Sequence, residues 1–206
     1  MKTFLRSASV LVIASAALAA SAQATAYSSF SSSGAYNANA GYSVGPNGGV
    51  DRMPGIQFTS GESGTIASFT LAMNNLNAVG PQGYSLGLYA DDGSNRLGVL
   101  LGTYPGTSTG VTGFGSDYPV STVPATTPAL VVAGAKYWLV ASSASSLAWR
   151  YSSVAGVGPT YAGSAGTYGT GVPTAFSVSV NPTPEPSALA ALGLGAVGLL
   201  RRRKRA

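Results

Sequence analysis

Tyr84-Ser85-Leu86-Gly87-Leu88-Tyr89-Ala90-Asp91, then Asp92-Gly93-Ser94-Asn95-Arg96, then Leu97-Gly98-Val99-Leu100-Leu101, is the stretch whose reading decides the fold. Tyr84, Leu86 and Leu88 stand two apart, so an extended chain sets them on one face. Asp91 to Asn95 supply the Asx and Gly residues of a tight turn, and Leu97 to Leu101 read as a short strand returning across it. The same period recurs in both directions. Ile56 and Phe58 share a face, as do Phe69, Leu71 and Met73. Ala129 to Ala133, Tyr137 to Ala141, Leu147-Trp149-Tyr151 and Phe176-Val178-Val180 complete seven or eight strands. No stretch between Tyr27 and Thr183 offers a helical apolar stripe longer than two turns, and 28 glycines with 12 prolines argue further against helices. The fold class expected is all-β, an antiparallel β-sandwich of jelly-roll type.

Outward from this core the composition changes. Ser28 to Gly49 is rich in Ser, Gly, Asn and Ala, with tyrosines at 27, 36 and 42, and reads as a leader or first strand. Ser152 to Pro173 is Gly, Ser and Thr with tyrosines at 151, 161 and 168, a long surface loop or irregular hairpin. Asn181-Pro182-Thr183-Pro184 reads as a stiff, proline-extended spacer. The expected division is 1–26, 27–49, a sandwich domain over 50–181, and a tail over 182–206.

Both ends carry targeting chemistry. Lys2 and Arg6 precede an apolar stretch around Val10 to Ala20, followed by Ala22-Gln23-Ala24 and Ala24-Thr25-Ala26. That is the pattern of a secretory signal peptide, a helix handed to the Sec translocon and cut after Ala24 or Ala26, so that the mature chain begins at Thr25 or Tyr27. At the other end Pro184-Glu185-Pro186 precedes an apolar run from Ser187 to Leu200, then Arg201-Arg202-Arg203-Lys204-Arg205. As a helix the run reaches about 21 Å against a hydrocarbon core of about 30 Å, a short transmembrane helix of marginal length. The cations behind it stay on the cytoplasmic side, which puts the rest of the chain outside. The prolines keep the box extended and open to an enzyme groove.

This tail resembles the PEP-CTERM sorting signal of Gram-negative bacteria: a Pro-Glu-Pro box, a short apolar span and an arginine-rich end. The resemblance implies recognition through Pro184, Glu185, Pro186, Arg201, Arg202 and Arg203, and cutting near the box by the integral-membrane enzyme exosortase. It implies an inner-membrane intermediate, then a cell-surface or extracellular product. The alternative is an ordinary tail anchor, which keeps its arginines. Over roughly Gln57 to Tyr151, the segments Ile66 to Leu71, Tyr84 to Asp91, Leu97 to Leu101 and Ala133 to Val140 are similar to the choice-of-anchor extracellular β-domains. That similarity implies a non-catalytic surface domain of unknown ligand and brings no catalytic residues.

Charge and chemistry narrow the function. Of eleven Lys and Arg, seven lie in the two ends, leaving Arg52, Arg96, Lys136 and Arg150 between Tyr27 and Thr183. Asp51, Glu62, Asp91, Asp92 and Asp117 oppose them, so the exported segment is nearly neutral and offers no cationic footprint for nucleic acid. With no His and no Cys, the triads built on them and the usual zinc and copper ligand sets are absent, and stability rests on packing rather than disulfides. A two-carboxylate glycosidase is the remaining enzymatic option. Asp91 and Asp92 read more simply as turn residues, and Asp51-Arg52 as a local surface pair. Asp91, Asp92, Ser94 and Asn95 also offer oxygens to calcium, without the spacing or bidentate Glu of an EF-hand. The expectation is no enzyme and no cofactor.

Carbohydrate binding is the rival to a purely structural role, because two tryptophans and eleven tyrosines stand among many Asn and Ser residues. Tyr137 and Trp138 are adjacent in one strand, so alternation turns one of them outward. Trp138 is thus the candidate ligand contact. The functional expectation is an exosortase-sorted surface or extracellular-matrix protein, the alternative a lectin-like module for exopolysaccharide.

Overall fold

The computed structural model describes residues 22–114, 119–154, 156–163 and 166–183. The signal helix, the short transmembrane helix and the box with its arginines fall outside these residues, apart from the alanines at the end of the signal. Among the described residues no helix is long and apolar enough to cross a membrane.

The described chain is all β. Its strands are β1 (Ala24–Ser28), β2 (Tyr36–Asn47), β3 (Val50–Arg52), β4 (Pro54–Thr59) and β5 (Gly64–Leu71). Next come β6 (Met73–Asn75), β7 (Gly83–Asp91), β8 (Leu97–Thr107), β9 (Ser121–Pro124) and β10 (Leu130–Val131). The last five are β11 (Lys136–Ser142), β12 (Leu147–Ser152), β13 (Gly158–Ala162), β14 (Thr167–Gly171) and β15 (Phe176–Pro182). They form three antiparallel sheets. One runs β1-β15-β5-β10 with β9 also on β5, one runs β14-β13-β4-β11-β7-β8, and one runs β3-β2-β12-β6.

Hydrophobic alternation sets the registers. In β5, Ile66, Phe69 and Leu71 are buried, and β15 lays Val178 against Phe69 and Phe176 against Leu71. Tyr84, Leu86 and Leu88 of β7 point into the same core, where Ile56 and Phe58 of β4 and Leu139 of β11 meet them. The β7–β8 hairpin forms as its sequence indicates. Asp91 Oδ1 accepts the Gly93 N–H at 2.8 Å and Asp92 Oδ1 accepts the Ser94 N–H at 2.7 Å, while Gly93 and Asn95 take φ of 89° and 57°. The two carboxylates thus bond their own turn, as an Asx-rich loop should.

Two flanking segments take the strand and hairpin alternatives open to them, and a third departs from expectation. Most of 28–49 belongs to the sheets, since β2 pairs with β12 over Tyr36 to Val44. Ser152 to Pro173 contains a true hairpin, β13 on β14, hydrogen-bonded onto β4. Asn181 and Pro182 are no spacer: they finish β15 opposite Thr65 and Gly64, and the Thr183 N–H reaches the Ser63 carbonyl at 3.2 Å. A side chain at Gly64 would strike the Asn181 carbonyl, which is why glycine stands there.

The chain enters and leaves the fold at one place. Ala24 is the Cα partner of Val180, so β1 begins where β15 ends. Ala26 is buried, its carbonyl accepts the Gly61 N–H at 2.6 Å, and Tyr27 packs its ring 4.9 Å from Phe176 and 5.2 Å from Phe58.

Titration behaviour follows from this core. Burial pushes the Tyr84 phenol up to about 12, against the lowering effect of its 2.8 Å bond with Ser121. A folded-state value above the unfolded one means the protonated ring is favoured by folding, so this stabilisation is complete below pH ~10 and is lost as pH rises towards the folded value. With no His and no Cys, no side chain has an ordinary pKa between about 5 and 8. The melting temperature should therefore be flat from pH ~5.5 to ~8.5 and fall above pH ~10.5. Thermal scans across pH check this; a step near pH 6.5 would count against it.

Candidate functional site

Among the described residues, a cleft of about 430 Å³ lies where β2, β3, β4 and the β13–β14 hairpin meet. Its walls carry Tyr42, Tyr161 and Tyr168, with Arg52 as the one charged residue lining it among the described residues. Arg52 lies on β3, whose three residues are all exposed.

Each ring is held by its strand and by a second contact. Tyr42 sits opposite Trp149 in the β2–β12 ladder, and Tyr151 meets its ring edge-on at 4.9 Å. The Val172 N–H donates to the Tyr42 hydroxyl, although burial and Tyr151 still raise its pKa. Tyr161 and Tyr168 are cross-strand partners with ring centroids 5.0 Å apart. The Tyr168 hydroxyl accepts the Leu97 N–H at 3.1 Å, and the Arg96 guanidinium lies 5.5 Å from its ring.

That last contact fixes the shape of the sheet. β14 and β8 are opposite edges of the six-stranded sheet, five strand spacings or about 24 Å apart if it were flat. A tyrosine cannot span that distance, so the sheet curls and the β13–β14 hairpin folds back over its outer face. The curl buries Trp138, whose ring lies 5.7 Å from Tyr168. Trp138 is 0% exposed and Tyr137 6%, so neither ring faces out. The expectation of Trp138 as a ligand contact is corrected accordingly: alternation turned it to the outer face, and the hairpin covered that face.

Trp138 serves instead as a donor behind the cleft. Its Nε1–H donates to Asp91 Oδ2 at 2.8 Å, and Gln57 Nε2 donates to the same oxygen at 2.6 Å. Partial burial alone would raise the Asp91 pKa, but these bonds and the Gly93 and Asn95 N–H groups outweigh it and hold the carboxyl below its ordinary value. A depressed folded value gives stability that is present above pH ~4 and lost as pH falls through the folded pKa. Asp91→Ala leaves a buried indole N–H without its acceptor, at a cost of about 1–3 kcal/mol. It is expected to lower the melting temperature by roughly 3–10 °C, and a calorimetric scan showing no change would contradict this role.

The remaining sequence-predicted positions are dispersed. Ala24 and Ala26 lie in β1, Asp51 is exposed in β3, Glu62 is exposed in the β4–β5 turn, and Asp92 caps the hairpin. Pro184, Glu185, Pro186, Arg201, Arg202, Arg203 and Asp117 lie outside the described residues. Arg150 is buried with its guanidinium 4.0 Å from the Phe114 ring, away from the cleft. No cluster of three metal-ligating side chains occurs among the described residues. Tyr42, Tyr161 and Tyr168 are noted in the sequence only as tyrosines of its polar flanks and Arg52 only as half of a surface pair, none of them as a site residue. Their signal was the tyrosines spaced through otherwise small, polar flanks.

Residues 182–205 match the PEP-CTERM protein-sorting motif. No curated protein matches the chain. The motif marks an exosortase substrate and implies a membrane-associated sorting step with export to the cell surface. It overlaps the end of the fold, since Pro182 is both the last residue of β15 and the first of the motif.

Proposed function

We propose that this protein is a non-catalytic component of a Gram-negative cell surface or extracellular matrix, exported through Sec and sorted by exosortase, with a choice-of-anchor-like β-domain as its mature part. The observation that carries this is the sorting motif running on directly from the last core strand. Support for a non-catalytic role comes from the absence of His and Cys and from carboxylates engaged in turn formation.

Mass spectrometry of both ends of the released protein tests this. Of the two signal-peptide sites, cleavage after Ala24 keeps the buried Ala26 and its bond to Gly61, so an N-terminus at Thr25 is expected. The C-terminus should lie before Arg201. A released chain that retains its arginines would refute exosortase processing.

A second reading, carbohydrate binding, is favoured by the tyrosine-walled cleft. Fixed aromatic faces beside hydroxyl and amide groups suit the alternating apolar and polar surfaces of a sugar, and an exopolysaccharide is the partner that an exported protein would meet.

A further inference from the structure

We propose that the cleft walled by Tyr42, Tyr161 and Tyr168 binds an acidic sugar unit of a polysaccharide, with the carboxylate taken by Arg52 and the apolar face of the ring by the tyrosines. The proposal rests on the carbohydrate reading above and adds to it a site and a ligand class.

Three observations converge. First, the rings are positioned before any ligand arrives: Tyr42 by Tyr151 and the Val172 N–H, Tyr168 by Trp138 and the Leu97 N–H. A pre-formed aromatic wall avoids much of the ordering cost of binding. The electron-rich faces of such rings attract the weakly positive C–H groups of a pyranose. Second, among the described residues the single charge in the cleft wall is the Arg52 guanidinium, with no carboxylate lining it to repel an anion. A guanidinium presents paired N–H donors that match a carboxylate in a planar, two-bond arrangement. Third, Ser43, Asn47, Thr160 and Thr167 line the same space and supply donors and acceptors for ring hydroxyls.

The charge also limits the ligand. One arginine cannot hold a polyphosphate, whose affinity grows with the number of cations neutralising it. A polymer bearing one carboxylate per sugar, read one unit at a time, fits the site.

The test uses the full chain in a sugar-free detergent, with polygalacturonate and neutral dextran as probes in affinity electrophoresis. The expected result is retardation by polygalacturonate well above that by dextran. Arg52→Gln should weaken polygalacturonate binding about five- to tenfold. Lys136→Gln removes the same charge outside the cleft and should leave binding unchanged. Tyr168→Leu should abolish retardation by either polymer, with thermal scans confirming that the variant is folded. Failure to bind either polymer would overturn the carbohydrate reading and the proposal with it. Equal retardation by both, unaffected by Arg52→Gln, would keep the carbohydrate reading and overturn the acidic preference. Equal weakening by Lys136→Gln would reveal diffuse charge attraction and overturn the site.

Discussion

Deleting Arg201 to Arg205, or replacing Glu185 with Ala, is expected to leave the full-length precursor in the inner membrane in place of a released product. The effect should be close to all or none, because the tail is short of what a stable span needs. Were its 14-residue apolar run helical, it would cover about 21 Å of a hydrocarbon core about 30 Å thick. Under the proposed sorting the arginines are part of the signal that exosortase reads, so without them the precursor is not cut and stays where it was inserted. Under the same proposal Glu185 is the charged centre of the box that exosortase reads, inside the motif matched at 182–205. Neither change touches the core, since the last paired residue of β15 is Pro182. Cell fractionation with intact-mass analysis distinguishes the outcomes, and normal release of either variant would remove the tail from its assigned role.

The largest stability loss is expected from Phe176→Ala. Phe176 is fully buried, and its ring lies 4.9 Å from Tyr27, 5.6 Å from Phe58 and 5.7 Å from Trp149. Those partners belong to β1, to the six-stranded sheet and to the β2–β12 sheet, so one ring joins all three sheets. Its backbone is equally engaged, exchanging bonds with the Ser29 N–H and hydroxyl at 2.9 Å. Emptying such a site costs about 3–5 kcal/mol, or roughly 10 °C or more in melting temperature. Val99→Ala on β8, where the side chain is 72% exposed, should change stability by no more than about 0.5 kcal/mol. Similar shifts for the two variants would contradict the placement of the core.

Local pattern made the strands legible. The Tyr84 to Leu101 hairpin carries its alternation and its turn chemistry within eighteen residues, and both were formed as read. What the pattern could not convey was closure between distant parts. Trp138 was correctly set opposite the core face of β11, but its cover comes from Tyr168, thirty residues later, through the curl of a sheet. The cleft was hidden for the same reason: Tyr42 and Tyr161 come from segments too rich in small and polar residues to show a period. The last strand outran its apolar signal, because Asn181 and Pro182 pair through their backbone with Thr65 and Gly64 rather than by burying side chains.

The pairing of Ala24 with Val180 lays the first strand of the described chain beside its last. Closing that sheet therefore waits on almost the whole described chain, since its two partners are far apart in sequence. Under the proposed maturation, a cut after Ala24 removes only the first residue of β1 and leaves the pairings of Thr25, Tyr27 and Ser28 with β15 in place.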